Sequence, residues 1–379
     1  MANEHLSVKA GFVPQLHGVE LVPPDKPVYS GGGVYDANGN LLKSIQQMID
    51  DGDFKIDDNG VFTTQRDIST KLQGVTKIVI PDGVTAISNM AFRNCEDLTS
   101  IELPESVTSI EHGAFYFCRG LSSVNIPSGV TFIGDSAFTA TSIESIVIPN
   151  NATINGSLFY ACKKLVSVTL PETITEIPSG MFNGCESLTT VSFPDSITSI
   201  GNNAFDNCKS LTSFKIPNGV TTIGSYAFRS SKITSVNLPE GLTNIGNAAF
   251  ISCEQLAGTV TLPSTLTSVG TQTFALCPKI TSVVIRDGVT EIVGSAFSGC
   301  SGITSVTIPN SVKSIKSGAF SNCLGLTSIT IPSSVTDIQE HGVYYSGAFA
   351  QCTNLKTIYY SGTATGAPWG ATNATVIAA

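Results

Sequence analysis

The chain has 379 residues, of which 41% are apolar and only 13% are charged, and it carries a net charge of −9. The acidic balance argues against a nucleic-acid-binding protein, because such proteins present a basic surface to the phosphate backbone. Apolar runs stay well short of the roughly 20 residues that span a membrane. The histidines are scattered, so neither membrane insertion nor a multi-histidine metal site is predicted.

Residues 1–70 show no repeat and are predicted to form an N-terminal region or cap. The first 33 residues contain no basic segment followed by an apolar stretch, so no signal peptide is recognised. Turns at Asn38-Gly39 and Asn59-Gly60 predict β-hairpins. Apolar residues at helical spacing predict a short helix over residues 41–51. This region is expected either to cover the first coil or to attach the chain to another protein.

From residue 71 to residue 360 the chain consists of tandem repeats of about 23 residues. A short run such as Ile101-Glu102-Leu103 alternates apolar and variable residues, which predicts a strand with one buried face. A proline follows most of these runs and ends the strand. A phenylalanine then marks each repeat. The phenylalanines are Phe92, Phe115, Phe138, Phe159, Phe182, Phe205, Phe228, Phe250, Phe274, Phe297, Phe320 and Phe349.

The unit beginning at Leu98 illustrates the predicted coil. A single coil of this size cannot bury its apolar side chains, whereas stacked coils form one continuous core. The sequence therefore predicts a repeat solenoid, α/β or mostly β, of twelve to thirteen coils. Its concave face is expected to carry a parallel sheet, and its convex side short turns or 3-10 pieces. The inward side chains of this unit are predicted to be Ile101, Leu103, Val107, Ile110, Ala114, Phe115 and Cys118.

The repeat pattern L-x-x-[IV]-x-[IL]-P-x-x-[VL]-T-x-I-x-x-x-A-F-x-x-C resembles the leucine-rich repeat of the BspA-like (Treponema pallidum type) family. The resemblance covers about three quarters of the chain, from Leu72 to Tyr360, in twelve tandem copies. It implies a curved, right-handed leucine-rich-repeat solenoid. It also implies a bacterial surface or secreted protein, commonly an adhesin that binds host extracellular proteins. The lack of a recognised signal peptide departs from that family habit.

Ten cysteines occupy one phase of the repeat, three residues after the phenylalanine. This regularity predicts buried, reduced thiols that fill equivalent positions rather than disulfides or metal ligands. Two coils lack the cysteine, at Ala140-Thr141 and Ser230-Ser231, and their turns are one residue shorter. The paired changes indicate that the cysteine packs inside the turn.

Two columns of outward side chains flank the strands of the predicted concave face. Nearly all residues of the first column are serine or threonine, which predicts either strand-to-strand hydroxyl pairing or a polar groove for a protein or glycan. Tryptophan, tyrosine and arginine, which dominate binding hot spots, are almost absent from the middle of this face. The second column supplies the candidate binding residues Glu102, Asn125, Thr169, Ser192, Lys215, Asn237, Thr261, Thr307 and Thr330.

Aromatic residues concentrate at the C-terminal end. Tyr344 and Tyr345 lie in an insertion, Tyr359 lies in the last strand, and Trp369 is the only tryptophan. Residues 361–379 are predicted to form a C-terminal cap or tail, because a repeat array must cover its exposed end. A local binding patch is the alternative, so the three tyrosines join the candidate binding residues.

No Ser-His-Asp or Cys-His set recurs near one place in the coil, so the sequence favours a non-enzymatic protein. The first hypothesis is protein binding through the solenoid face, with host or cell-surface proteins as the partners that the resemblance suggests. The alternative is a structural or assembly module, such as a phage or cell-envelope spacer, docking through its ends. No cofactor and no nucleic acid are expected. An extracellular or cell-surface location follows from the resemblance alone.

Overall fold

The computed structural model describes residues 15–16, 19–20, 31–65, 68–266, 268–340 and 347–379. Beyond residue 70 the chain winds into successive coils. A typical coil contributes one strand to each of two parallel ladders and closes with a turn that carries the phenylalanine. The predicted leucine-rich-repeat solenoid with a parallel sheet is confirmed. The division of the chain at residues 70 and 360 stays a prediction.

The first ladder consists of the strands that the alternating apolar pattern predicts. Adjacent coils pair in register, so Ser100 lies opposite Lys77 on one side and Ser123 on the other. Equivalent residues therefore form straight columns along the solenoid. The strands are Lys77–Val79, Ser100–Glu102, Ser123–Val124, Ser145–Val147, Ser167–Thr169, Thr190–Ser192, Gly258–Leu262, Ile280–Ile285, Ser305–Thr307, Ser328–Ile331, Thr357–Tyr360 and Thr375–Ile377.

A second parallel ladder, which the repeat pattern did not lead us to predict, follows the proline turn. Its strands are only two residues long, and Ser109–Ile110 pairs with both neighbouring coils. The inward residue of each pair is apolar, which anchors the ladder on the core. The strands are Ala86–Ile87, Ser109–Ile110, Phe132–Ile133, Thr153–Ile154, Glu176–Ile177, Ser199–Ile200, Thr222–Ile223, Asn244–Ile245, Ser268–Val269, Glu291–Ile292, Ser314–Ile315 and Asp337–Ile338.

The phenylalanine rings form one stack through the array. The ring centroids of Phe250 and Phe274 lie 5.1 Å apart with an interplanar angle of 1°. The spacing widens to 5.9 Å between Phe138 and Phe159, where the intervening repeat is shortest. Every inward side chain predicted for the coil beginning at Leu98 is buried. The core is therefore one continuous column shared by all coils.

The turn around each phenylalanine contains left-handed backbone. Met90 and Asn94 flank Phe92 with φ angles of 56° and 61°. Their backbone N–H groups donate to the carbonyls of His112 and Tyr116 in the next coil. This conformation costs free energy for residues other than glycine, and the inter-coil hydrogen bonds help to hold it. The phenylalanine turns, like the two ladders, are thus joined from coil to coil by backbone hydrogen bonds.

Residues 31–65 extend both ladders across the first coil. Gly33–Tyr35 pairs antiparallel with Lys77–Val79, and Val61–Thr64 pairs parallel with Ala86–Ile87. Both hairpins predicted from the Asn-Gly turns are confirmed. The remaining elements of this part of the chain are the strands Gln15–Leu16, Val19–Glu20, Leu41–Ser44 and Phe54–Ile56, the helix Ile45–Asp50 and the 3-10 turn Ile68–Thr70.

The helix is shorter than the sequence predicts. The expected start at residue 41 is wrong, because Leu41–Ser44 pairs as a strand with Gly33–Tyr35. The helix begins after Ser44, whose side chain accepts a hydrogen bond from the backbone N–H of Gln47. The Gln47 side chain in turn accepts from the Ser44 N–H, which completes a capping box.

The C-terminal residues close the last coil. Trp369 is fully buried and meets the ring of Tyr360 edge-on, with 5.3 Å between ring centroids. The carbonyl of Trp369 accepts the backbone N–H of Phe349, so the segment takes the place of a further coil. Thr375–Ile377 then adds one more strand to the first ladder. Within the described ranges, no helix has the length and apolar character needed to cross a membrane.

Candidate functional site

The predicted binding residues lie along the outward surface of the first ladder, which we call the outer face. Nearly all of these side chains are exposed. Side chains alternate along a strand, so the residues on either side of them point into the core instead. Thr261 differs and is half-buried. Tyr344 and Tyr345 lie outside the described residues. The residues that the structure places on the outer face are Glu102, Asn125, Thr169, Ser192, Lys215, Asn237, Thr261, Thr307, Thr330 and Tyr359.

Most hydroxyls of the first outward column do not pair with one another. Ser282 and Ser305 are the only members of that column, within the described part, whose hydroxyls hydrogen-bond to each other, at 2.9 Å. In several coils a hydroxyl on the residue before the column position makes the inter-coil bond instead. Thr99 Oγ1, for example, donates to the carbonyl of Thr76. The column therefore leaves most of its hydroxyls directed at solvent.

The first ladder is interrupted beside the shortened turns. No strand pairing joins Ser123–Val124 to Ser145–Val147, and the coils at residues 213–216 and 235–238 form no strand. The second ladder remains paired at these places, as between Phe132 and Thr153. A third interruption separates Ser305–Thr307 from Ser328–Ile331 without a shortened turn, and no local cause for it is evident.

The candidate residues that are neither hydroxyl-bearing nor acidic coincide with the interruptions. Asn125 lies at the first interruption, and Lys215 and Asn237 lie at the second. Asparagine and lysine are less common in strands than β-branched residues, which matches the lost pairing. Phe214 lies at the position that other coils use for the inward residue of the strand, and its ring centroid is 4.7 Å from that of Phe205.

The first interruption opens a groove on the outer face with a volume of about 590 Å³. Asn125 and Thr169 contribute polar groups to its walls, and Ser145 and Ser167 contribute hydroxyls. Val147 lies between them and is 67% exposed. None of the described residues that line the groove is charged. An exposed apolar side chain framed by neutral polar groups suits an uncharged, extended ligand.

Charges on the outer face are few. Glu102 Oε1 lies 2.5 Å from Lys77 Nζ in the preceding coil, so the carboxylate is paired. Lys215 has no ion-pair partner in the described residues. In the same parts of the chain, no three His, Cys, Asp or Glu side chains are close enough together to hold a metal ion.

The cysteine column is a structural feature of the core. All ten thiols are free and buried, as predicted. Cys118 Sγ donates to the carbonyl of Phe92 at 2.9 Å, and most other thiols make the same bond. Burial raises the pKa of Cys95 to about 12 and that of Cys162 to about 11. A raised pKa keeps these two thiols neutral at physiological pH and makes them poor nucleophiles.

Hydroxyls replace the thiols in the two coils that lack cysteine. Thr141 and Ser231 are buried at the cysteine position, and Thr141 Oγ1 lies 3.3 Å from Cys162 Sγ. Ser231 Oγ lies 3.5 Å from Cys253 Sγ. A small polar side chain at this phase thus continues the column through the shortened turns.

A second group, of half-buried aromatic and exposed basic side chains, lies on the phenylalanine turns of the first two coils and was missed by the repeat analysis. The rings of Tyr116 and Phe117 have centroids 4.5 Å apart. The guanidinium of Arg119 lies 5.0 Å from the Phe117 ring, and that of Arg93 lies 5.9 Å from the Tyr116 ring. The signal was present in the sequence, because these arginine and aromatic residues occupy variable turn positions of two adjacent coils.

Solved structures support the fold. A leucine-rich repeat protein from Bacteroides ovatus matches with a TM-score of 0.67 and 22% identity, covering 86% of this chain and 88% of its own. A leucine-rich cell surface protein from Faecalibacterium prausnitzii matches with a TM-score of 0.52 and 32% identity, covering 82% and 93%. A leucine-rich repeat protein from Eubacterium ventriosum matches with a TM-score of 0.54 and 23% identity, covering 81% and 88%.

The repeats also match a known family description. No curated protein sequence matches the chain. The description "BspA type leucine rich repeat region" matches residues 70–185, 131–257 and 267–371, which together span most of the chain. Proteins of this type are generally protein-interaction or surface proteins. The repeat pattern, the stacked coils and these matches together show that the chain belongs to the BspA-type leucine-rich repeat family.

Proposed function

We propose that this chain is a non-enzymatic, protein-binding module of a bacterial cell surface, which holds its partner against the outer face. The observation that carries the proposal is the groove between Asn125 and Val147, where an exposed apolar side chain lies among unpaired hydroxyls on a rigid array. Burying that side chain would supply binding free energy at about 25 cal/mol per Å² of apolar surface. The hydroxyls and the amide would fix the orientation of the partner.

The groove favours an extended polypeptide segment as the bound element. The Ile126 backbone N–H has no backbone acceptor within the described structure, whereas the equivalent N–H of Ile148 donates to Thr169 O at 3.0 Å. Unpaired strand groups are the elements that β-strand addition uses to bind peptides. The neutral lining matches the uncharged backbone of such a segment.

The surface location rests on the family and on one relative. The Faecalibacterium prausnitzii protein, 32% identical over most of its length, is described as a cell surface protein. Labelling intact source cells with an antibody to this chain, with lysed cells as the control, tests the location. Labelling of intact cells is the expected result, and labelling only after lysis would contradict the proposed location.

The binding face is tested by two arginine substitutions in the same coil. Val147→Arg places a bulky charge in the groove, and Thr153→Arg places the same charge on the exposed side of the second ladder. We expect Val147→Arg to weaken binding to purified extracellular-matrix proteins at least about tenfold, which corresponds to about 1.4 kcal/mol. Thr153→Arg should leave it unchanged. Equal effects of the two substitutions, measured by biolayer interferometry, would show that the outer face is not the binding face.

A second candidate function, assembly through the ends, is favoured by the exposed apolar side chains of the terminal strands. Leu41 and Leu42 are 55% and 49% exposed in the strand Leu41–Ser44, and Ile377 is 46% exposed in the strand Thr375–Ile377. Exposed edge strands are templates for pairing with another chain. Light scattering tests this second function. Oligomers that dissociate when Leu42→Lys or Ile377→Lys is introduced would support assembly. A monomer at high protein concentration would exclude self-assembly.

A further inference from the structure

A pocket of about 320 Å³ lies where the N-terminal region meets the first coil. It is bounded by the end of the strand Val61–Thr64, the 3-10 turn Ile68–Thr70 and the phenylalanine turn of the first coil. Thr64 Oγ1 donates to the carbonyl of Ala91 at 2.5 Å, which ties the strand to the turn. The pocket lies on the phenylalanine turns rather than on the outer face.

Among the residues that the structure describes, Arg93 is the only charged one that lines this pocket, and it differs from the other described arginines. In the described parts of the chain, each of the other arginines pairs with a carboxylate: Arg119 with Glu96, Arg229 with Asp206 and Arg286 with Glu240. Arg93 has no carboxylate partner within those parts, and its guanidinium approaches only the Tyr116 ring. The described part of the pocket therefore presents a cation that no described carboxylate pairs with, in a protein whose net charge is −9.

Neutral polar groups surround this cation. Gln65, Asn89 and Asn94 contribute amides, and Ser69 contributes a hydroxyl. These side chains make no hydrogen bond to any other residue that the structure describes. Amide and hydroxyl groups both donate and accept hydrogen bonds, so they match the hydroxyls of a sugar. The Met90 side chain adds an apolar wall.

We propose that this pocket binds an acidic sugar, with the carboxylate on Arg93 and the hydroxyl groups on the surrounding amides. A guanidinium binds a carboxylate through two parallel hydrogen bonds, which gives both affinity and orientation. The pocket volume lies at the lower end of the range for small-molecule sites, which suits one monosaccharide unit. A uronic acid residue of an acidic glycan has the required carboxylate and adjacent hydroxyls.

Calorimetric titration of the full chain with D-glucuronate tests the proposal. D-Glucose serves as the neutral control, and N-acetyl-L-glutamate presents a carboxylate without sugar hydroxyls. We expect glucuronate to bind more tightly than either control ligand. Arg93→Gln should weaken glucuronate binding at least about tenfold, because hydrogen bonds between charged groups are stronger than those between neutral groups. Arg119→Gln removes a neighbouring arginine and should leave binding unchanged.

Several outcomes would overturn the assignment. The absence of glucuronate binding, or equal binding of glucose, would show that the pocket does not recognise an acidic sugar. Equal or tighter binding of N-acetyl-L-glutamate would assign the site to peptide carboxylates instead. Asn89→Asp introduces a negative charge into the pocket without removing Arg93, so glucuronate binding should again weaken. Far-ultraviolet circular dichroism and a urea midpoint for each variant verify that it is folded.

Discussion

At the scale of single residues, the phenylalanine and cysteine of each turn form two parallel columns through the core. Phe205 lies 5.3 Å from both Phe182 and Phe228 in the ring stack. Cys208 Sγ donates to the Phe182 carbonyl of the preceding coil. Both columns arise for the same reason. When the repeats stack in register, equivalent positions have the same surroundings, so the same side chain packs well in every coil.

Removing one ring from the stack should create a large cavity. We predict that Phe205→Ala lowers the free energy of unfolding by about 3–5 kcal/mol, since a buried phenylalanine loses both transfer free energy and packing. The Phe205 ring also packs against that of Phe214, with 4.7 Å between ring centroids, so the substitution removes this contact as well. Urea denaturation followed by circular dichroism measures the change. The exposed Val147→Ala is the control, and a loss from Phe205→Ala no larger than the control's would show that the ring is not part of the core.

A buried thiol with a raised pKa makes the free energy of unfolding fall at alkaline pH. An unfolded cysteine ionises near pH 8.5, whereas burial raises the pKa of Cys162 to about 11 in the folded chain. The folded state therefore retains protons that the unfolded state releases. We predict full thiol-dependent stability below about pH 8.5 and a progressive loss as pH rises toward the folded pKa values.

Urea midpoints between pH 8 and pH 10.5 measure this loss. Cys162→Ala should make the decline shallower by up to about 1.4 kcal/mol per pH unit, the value for one proton. Lysine and tyrosine ionisation contribute equally to both proteins, so the difference isolates the thiol. An unchanged slope would mean that the Cys162 thiol is accessible to solvent.

At the scale of the element, the phenylalanine turn depends on left-handed backbone that is often not glycine. Gly184 has a φ of 75°, and a Cβ there would meet its nearest neighbour, in Ala161, at an ordinary 3.5 Å. We predict that Gly184→Ala costs about 1–2 kcal/mol from backbone conformation alone. Gly129 has comparable space, 3.6 Å, without the left-handed φ. Thermal unfolding of both variants checks this, and an equal effect would refute the conformational explanation.

The interruptions of the first ladder should be visible in hydrogen exchange. The backbone N–H of Ile148 donates to Thr169 O and that of Leu170 to Ser192 O, whereas Ile126 and Ile216 have no such acceptor among the residues described. We predict faster amide exchange at Ile126 and Ile216 than at Ile148 and Leu170, because unpaired amides are open to solvent. Residue-resolved exchange by NMR measures the rates. Equal protection would mean that the ladder is continuous in solution.

At the scale of the whole molecule, each coil contacts mainly its two neighbours, so stability is close to a sum of coil and interface contributions. The end coils have one neighbour fewer. Trp369 is buried at the C-terminal end and is the only tryptophan, so its fluorescence reports on that end alone.

We predict that the Trp369 emission shifts to longer wavelength at a lower urea concentration than the loss of the circular-dichroism signal. The terminal coil lacks a stacked neighbour on one side, which favours local unfolding from the end. Both signals are followed in the same titration. Coincident midpoints would show that the array unfolds as one cooperative unit.

The candidate sites differ in how far the sequence could predict them. The outer positions of Asn125 and Thr169 follow from strand alternation, because residues two apart share a face. Their gathering around Val147 does not, because the groove exists only where two strands fail to pair. The sequence did not indicate the pocket at Arg93 either, because Thr64, Gln65, Ile68 and Ser69 line it from outside the repeat.

The sequence by itself determined the solenoid, the inward set of each coil and the burial of the thiols. Each follows from one short pattern that recurs in register, so every coil independently supports the same assignment of inward positions. Only the tertiary structure decided the second ladder, the interruptions beside Thr141 and Ser231, and the isolation of Arg93 from any described carboxylate. Strands of two residues carry too little alternation to be recognised along the chain. Grooves and pockets depend on the distance between neighbouring coils, which is a property of packing between segments rather than of any one segment.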